Sequence, residues 1–304
     1  MLLGAHLGVA GGLAEAVAEL KAIDGEVLQI FSKSPQMWAG PPIAPEAAER
    51  FRAAIRSEGV RATAVHHGYL LNLASPDDSA LARSRAAFRD EIQRAQLLGV
   101  DALIFHPGAH LGAGADAGLR TIAESLARTL EAVPELSVRL LLENAAGQGT
   151  TLCSRFEELA WVLAKVDAPD RVGVTLDTCH LFAAGYDFRG DAEYGALTDL
   201  VTSTIGVAAV RAFHLNDAKA DLGSHLDRHE NIGRGHIGRE GFRSFVNDRR
   251  WAETPGYLET PLDDHGYARY AEDLATLRSL RTTDPGPAAG GSRRRRRAAA
   301  STVK

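Results

Sequence analysis

Residues 172–187 read VGVTLDTCHLFAAGYD. A nearly continuous apolar run, suited to a strand buried on both faces, ends in Asp177, and His180 follows three positions later. Taken alone, Asp177 reads as the N-cap of a following helix, its carboxylate accepting a backbone N–H of the first turn. His180 would then be an ordinary partly buried histidine. Whether these two residues carry chemistry depends on whether the pattern repeats.

It repeats along the chain. Short apolar runs recur as LLGAHLG (2–8), EVLQIF (26–31), RATAV (61–65), DALIF (101–105), VRLLL (138–142), VGVTL (172–176), VRAFHL (210–215) and GYLET (256–260). Segments of helical periodicity lie between them. In 77–98, Leu81, Phe88, Ile92 and Leu98 share one broad face. Ser154 with Glu157 three residues later is a capping-box signature, which predicts a helix through EELAWVLAKV. Gly59, Gly99 and Gly206 stand where helices should stop. Eight strands alternating with helices over about 280 residues predict an α/β fold, a (β/α)8 TIM barrel. A doubly wound open sheet fits less well, because no glycine-rich fingerprint opens a helix after a strand.

Placed on those strands, the polar residues converge. RATAV ends in His66, DALIF in His106, VRLLL in Glu143, VGVTL in Asp177 with His180 beyond, VRAF in His214 and GYL in Glu259. The C-terminal ends of barrel strands share one face, where active sites of this fold sit. Capping does not account for this set, since His and Glu are not N-cap residues. So many buried imidazoles and carboxylates at one rim need partners, and metal ions supply them. The loop after the seventh run adds Asp227-Arg228-His229, a carboxylate–imidazole pair that can chelate an ion from an extended loop.

Charge bears on the partner. The chain of 304 residues has a formal net charge of −5, which argues against a nucleic-acid partner at first sight. Residues 282–304, TTDPGPAAGGSRRRRRAAASTVK, hold Asp284 against Arg293–Arg297 and Lys304, a net of +5, which leaves −10 for residues 1–281. Glu143, Asp177, Asp227 and Glu259 contribute −4 to the rim, and three divalent ions would bring it to about +2. An anionic substrate then fits, and closely spaced metals are the recurring device for displacement at phosphorus. Hydrophobic residues are 45% and charged residues 24% of the chain, the proportions of a soluble globular protein. Two cysteines are too few for a disulfide framework, so a reducing cytoplasm is expected. The apolar start MLLGAHLGVAGGLAEAVAEL lacks a basic n-region and is not read as a signal peptide; no apolar run reaches membrane-span length.

These residues resemble the endonuclease IV family, zinc-dependent apurinic/apyrimidinic endonucleases. The resemblance is carried by HHGYLLNLASP (66–76), FHPGAHLGAG (105–114), LLENAAGQG (141–149), LDTCHLFAAGYD (176–187), FHLNDAK (213–219), DRHENIGRGHIG (227–238) and YLET (257–260). It runs from GAHLGVAGGL to about residue 275. It implies three Zn2+ ions, with partial Mn2+ replacement allowed. His66, His106 and Glu143 would hold one. Glu143, Asp177, His214 and Glu259 would hold a second, and His180, Asp227 and His229 the third. Glu143 would bridge and is the expected catalytic residue. The implied reaction is hydrolysis of the phosphodiester 5′ to an abasic site in double-stranded DNA by a zinc-activated water or hydroxide. It leaves a 3′-hydroxyl and a 5′-deoxyribose phosphate, and blocked 3′ ends would be trimmed as well. Tyr69 and Leu70 match the family's DNA wedge, Gln36 stands where many members carry Arg, and Asn72, Asn216, Lys219 and Arg228 are expected to contact DNA or orient ligands. His67 departs from a position more often small or acidic. His6 and His110 are expected near the rim in supporting or structural roles, and Cys179 is expected to pack facing away from it.

The resemblance further implies a monomer acting at the nucleoid in the cytoplasm, with no membrane partner. Residues 1–281 are expected to form the catalytic domain and 282–304 a disordered tail, whose arginines either hold phosphates loosely or are merely solvated. The competing reading is a sugar isomerase or epimerase of the xylose-isomerase-like barrels, using Glu143, Asp177, His214 and Glu259 around one metal. A non-catalytic barrel that binds damaged DNA or metal is harder to reconcile with a complete ligand set.

Overall fold

Every apolar run forms a strand in the computed structural model, which describes residues 1–282. The barrel strands are β1 (Leu2–Leu7), β2 (Val27–Phe31), β3 (Ala62–His66), β4 (Ala102–Phe105), β5 (Arg139–Glu143), β6 (Val172–Asp177), β7 (Val210–His214) and β10 (Pro255–Leu258). Two short strands, β8 (Asp217–Ala218) and β9 (His229–Glu230), pair antiparallel within the long loop after β7. The eight barrel strands are parallel and closed, β10 lying between β1 and β7. The fold is therefore the expected (β/α)8 barrel. The expected tail lies outside the described residues, apart from Thr282, whose backbone N–H donates to Asn247 Oδ1.

Two apolar layers hold it together. The barrel interior is small, packed by Leu2, Val27, Ala64, Ala102, Ile104, Leu141, Ala212 and Tyr257. A larger layer between strands and helices contains Leu3, Phe51, Phe88, Phe105, Phe156 and Phe213. Helix α3 (Asp78–Leu98) shows how the sequence sets an element. Asp77 caps it by accepting from Ala80 N, Phe88 and Ile92 bury its inner face, and Gly99 ends it in the left-handed region.

The capping box at Ser154 does not form. Helix α5 (Phe156–Val166) starts one residue later, with Arg155 at the N-cap and no side-chain cap. Cys153 takes a positive φ of 67°, and its N–H donates to Glu158 Oε2, so the chain enters the helix by a path that leaves Ser154 out of the cap. Among the described residues no helix is long and apolar enough to cross a membrane.

Alternation along the strands places the site. Successive strand side chains point to opposite faces, so the inward rows of the barrel continue upward two residues at a time. Ala64 leads to His66, Ile104 to His106, Leu141 to Glu143, Ala212 to His214 and Tyr257 to Glu259. A register shift in the β6–β7 pairing brings Asp177 opposite His214 on this face.

Candidate metal centre

At the C-terminal mouth, ligand-capable atoms lie within 4.8 Å of one another in five overlapping groups; two of them are His66 with His214 and Glu259, and Asp177 with Cys179 and His229, and the other three match the expected sets. Of these three, the first is His66, His106 and Glu143. The second is Glu143, Asp177, His214 and Glu259. The third is His180, Asp227 and His229. The structure thus brings together all nine residues singled out in the sequence, with Glu143 common to two groups.

Backbone and side-chain acceptors fix the imidazoles. His66 Nδ1 donates to His67 O at 2.7 Å, His180 Nδ1 to Asn144 O at 2.8 Å and His229 Nδ1 to Glu259 O at 3.1 Å. A carbonyl accepts only, so in each neutral ring the lone pair lies on Nε2, which faces the cleft centre. His214 is held the other way round. Its Nε2 lies 2.9 Å from Gln29 Oε1, and its Nδ1 faces Glu143 Oε1 at 2.9 Å and Glu259 Oε2 at 3.4 Å.

The donor set fits metal better than it fits itself. His180 Nε2 and His229 Nε2 are buried with no hydrogen-bond partner. Both nonetheless lie close to one oxygen, Asp227 Oδ1, at 3.2 and 3.3 Å. Near but misaligned, the three atoms point at a common centre rather than at one another, as ligands do. Imidazole and carboxylate are donors suited to zinc and similar divalent ions. The same crowding shifts proton affinities. Against the downward push of burial, the carboxylates of Glu259 and Glu143 raise His214 to about 9, and Asp177 and Asp227 raise His229 to about 9. Burial would raise the carboxyl of Glu143, but His106 and His214 beside it hold it well below the usual range.

Asp177 is placed for two parts at once. It is the N-cap of α6 (Thr178–Ala183), Oδ1 accepting from His180 N at 2.9 Å. Its Oδ2 accepts from Asn216 Nδ2 at 2.7 Å and faces His229 Nε2 at 3.6 Å. Capping and ligation were posed as rivals in the sequence, and the geometry leaves room for both: Oδ1 caps the helix while Oδ2 faces the ligand cluster.

Above the cluster opens a cleft of about 710 Å³ lined by His6, Phe31, Lys33, Tyr69, His106, His180, Arg228, His229 and Glu259 among others. A second hollow of about 400 Å³, with Leu70, Asn72 and Gln148, shares Tyr69, His106, His180 and Asp227 with it. Tyr69 stands on the ridge between them, 65% exposed, with Leu70 beside it at 38%. Gln36, Lys219 and Arg228 lie on rim loops.

Other residues named in the sequence find their places, and one expectation, that of Cys179, is corrected. Asn72, half-buried at the edge of the second hollow, clamps two loops with its amide, donating to Ala109 O and accepting from Ala74 N and Ala109 N. Cys179 does not face away. Its sulfur lies within 4.8 Å of ligand atoms of Asp177 and His229. Burial and Asp177 push the thiol up, and it donates to Arg228 O at 3.5 Å. His110 is structural, its Nδ1 accepting from Gly112 N and Gly114 N. His67 is buried, its Nδ1 donating to Gly68 O.

Three residues that hold the site in place escaped sequence reading. Asn144 Oδ1 accepts from Asp177 N. Asp217, fully buried, accepts backbone N–H groups of Gly233, Gly235, Ile237 and Gly238 and so ties down the loop that carries Asp227 and His229. Gln29 is a polar residue in the middle of the apolar strand VLQIF, and that isolation was its signal.

A parallel barrel with a cluster of candidate metal ligands sharing carboxylates at its C-terminal mouth defines a metal-dependent TIM-barrel enzyme of the xylose-isomerase-like class. A family model described as xylose isomerase-like TIM barrel matches residues 17–280. Within that class the chain belongs to the endonuclease IV family. It is 42% identical over 277 residues to a probable endonuclease 4 of Chloroflexus aurantiacus, covering 91% of this chain and 97% of that one. A probable endonuclease 4 of Geobacter sulfurreducens is 43% identical over 279 residues, covering 92% and 93%. The crystal structure of endonuclease IV from Thermus thermophilus superposes with a TM-score of 0.81 at 34% identity, covering 92% and 98%. A D-tagatose 3-epimerase-like protein, 17% identical with a TM-score of 0.67, shares the fold.

Proposed function

We propose that the chain is an apurinic/apyrimidinic endonuclease that hydrolyses the phosphodiester 5′ to abasic sites in duplex DNA, leaving a 3′-hydroxyl and a 5′-deoxyribose phosphate. Trimming of blocked 3′ ends belongs to the same proposal. The observation that carries it is the sharing of Glu143 between two ligand groups, with a third group alongside. Multiple close metals suit in-line displacement at phosphorus, and a single-metal sugar isomerase has no use for His66, His106, His180, Asp227 and His229.

The residues divide the work. His66, His106 and Glu143 would hold one zinc ion, Glu143, Asp177, His214 and Glu259 the second, and His180, Asp227 and His229 the third. Bound divalent metal supplies Lewis acidity, lowering the pKa of water and neutralising charge on the phosphate and the departing oxygen. No side-chain general base is then required. Glu143, fully buried beneath the cleft, spans the two inner groups and keeps them in register. Tyr69 and Leu70, exposed on the ridge, enter the base stack where a base is missing, an established use of such side chains that costs less at a gap already unpaired. Arg228 and Lys219 face backbone phosphates. Gln36 offers an amide where a cation would add a phosphate contact, so affinity for the duplex is lower on that side.

The test is incision of an end-labelled duplex carrying one abasic site, beside an intact duplex, with ends mapped and metal counted on the same preparation. A single cut 5′ to the lesion, by protein holding about three zinc ions per chain, is expected. Metal-loaded protein that leaves the abasic duplex whole but converts a sugar phosphate would overturn the proposal.

A further inference from the structure

We infer that Gln29 is a positioning residue of the metal centre: it dictates which nitrogen of His214 faces the cluster and holds Glu259 beside it. The inference rests on the metal-site reading above. Gln29 lies in β2 with no exposed surface, two residues up the inward row from Val27 and paired in register with His6. A glutamine amide in an apolar strand is costly unless its donors and acceptor are used. Here the acceptor and a donor are used: Oε1 lies 2.9 Å from His214 Nε2, and Nε2 donates to Glu259 Oε1 at 2.6 Å, with His6 Nδ1 2.9 Å from both Gln29 Nε2 and Glu259 Oε1.

Chemistry fixes the direction of this amide. Glu259 as a carboxylate can only accept, so the NH2 end of Gln29 must face it. The reversed amide would set oxygen against oxygen there and nitrogen against His214 on the other side. With the NH2 toward Glu259, the carbonyl faces His214 Nε2, which must carry the hydrogen. The lone pair of the neutral ring is then on Nδ1, the atom turned toward Glu143 and Glu259. His66, His180 and His229 present Nε2 because backbone carbonyls hold their Nδ1–H groups, and no substitution removes a backbone carbonyl. His214 is set by a side chain, so its orientation can be changed by mutation.

The test uses the full chain labelled with 15N-histidine and two variants. Long-range 1H–15N spectra report which ring nitrogen bears hydrogen and which is coordinated, and competition with a chelator gives zinc affinity. In the zinc-loaded wild type, His214 should coordinate through Nδ1 with a protonated Nε2, and His66, His180 and His229 through Nε2; the fifth imidazole, His106, turns its Nδ1 toward Glu143 Oε2 at 3.5 Å without contact to Gln29 and should give the same signal in all three proteins. In Gln29→Leu the His214 signature should be lost or exchange-broadened, with zinc held about 10- to 100-fold more weakly while the other four imidazoles keep their pattern. Gln29→Glu is nearly isosteric and covers the case in which the leucine variant does not fold. It keeps an acceptor for His214 Nε2–H but opposes two carboxylates, so the His214 signature should survive while zinc affinity falls. Wild-type signature and affinity in both variants would overturn this inference and leave the metal-site reading intact. A wild-type chain that takes up no zinc would overturn both.

Discussion

Asp177 makes the residue scale testable, because its two oxygens face different partners. Asn is as good an N-cap as Asp, so Asp177→Asn should keep α6 and melt within a few degrees of the wild type in the metal-free state, yet lose metal from the centre. Asp177→Ala removes the cap as well and should cost about 1 kcal/mol more. Thermal melts of chelator-treated protein, with metal analysis alongside, separate the two; equal melting of both variants would deny the cap. Proton affinity gives a second expectation. His214 and His229 in the metal-free site are raised to about 9 by the carboxylates around them, above an unfolded value of about 6.5. Their contribution to stability is therefore fully present below about pH 6.5 and lost as pH rises to about 9. Metal-free protein should lose melting temperature across that window. Zinc-loaded protein should gain affinity over the same window, since zinc displaces those protons. Melting curves at pH 6.5 and 9 with and without zinc check the signs, and a metal-free protein that grows more stable toward pH 9 would contradict the argument. At this scale the clustering of His66, His106, Glu143, Asp177, His214 and Glu259 was readable because His and Glu at strand ends have no other common use. Gln29, Asn144 and the aim of Cys179 were not, because their roles depend on which atoms meet across strands far apart in sequence.

Elements position those residues through a few buried anchors, and Asp217 is the most consequential. Backbone N–H groups from Gly233 to Gly238 converge on its carboxylate, and the loop they belong to carries Asp227 and His229. Gly235 passes so close that a Cβ there would stand 2.4 Å from Ala218 O and 2.5 Å from Asp217 Oδ1, which explains the glycine of the GRG step. Asp217→Ala leaves several buried donors unsatisfied, each costing about 1–3 kcal/mol if none finds water. A net loss of about 3 kcal/mol in denaturant unfolding is expected, together with loss of the metal held by His180, Asp227 and His229 before the others. Unchanged unfolding and metal content would mean the loop holds itself. The strands and most helices were legible because continuous apolar runs, glycine stops and the Asp77 cap act locally. The Ser154 capping box failed because the path of the chain through Cys153, in the left-handed region and tied to Glu158, is decided by tertiary contacts that no four-residue pattern contains.

The whole molecule meets its substrate with one face. Among the described residues, the large exposed hydrophobics are Met37, Tyr69, Leu70, Leu97, Leu111, Leu222, Leu226 and Leu262. All but Leu97, on α3, lie on loops that follow the C-terminal ends of barrel strands, so the apolar surface is gathered around the cleft, as on a face that receives a partner. Charge is divided differently: residues 1–281 carry −10 and residues 282–304 carry +5. An acidic body approaching a polyanion gains little from long-range attraction, and under the proposed function bound metal, Lys219 and Arg228 would have to supply it at close range. The arginine run 293–297 supplies the missing attraction if it engages phosphates. Because Thr282 is bound to Asn247 at the end of the described body, deletion of residues 283–304 should leave the melting temperature within about a degree. The effect belongs in the salt dependence of duplex binding, where each neutralised phosphate contributes about 0.9 to the slope of log K against log salt. Loss of five arginine contacts should flatten that slope by about 4 and weaken binding at low salt most, on abasic and intact duplex alike, since backbone contacts carry no lesion preference. Discrimination between the two duplexes should not change, because the proposed wedge of Tyr69 and Leu70 and the cleft of candidate metal ligands remain. Equal slopes for full-length and truncated chains would show the arginines to be solvated rather than bound to DNA, and a change confined to the abasic duplex would move them into the site itself.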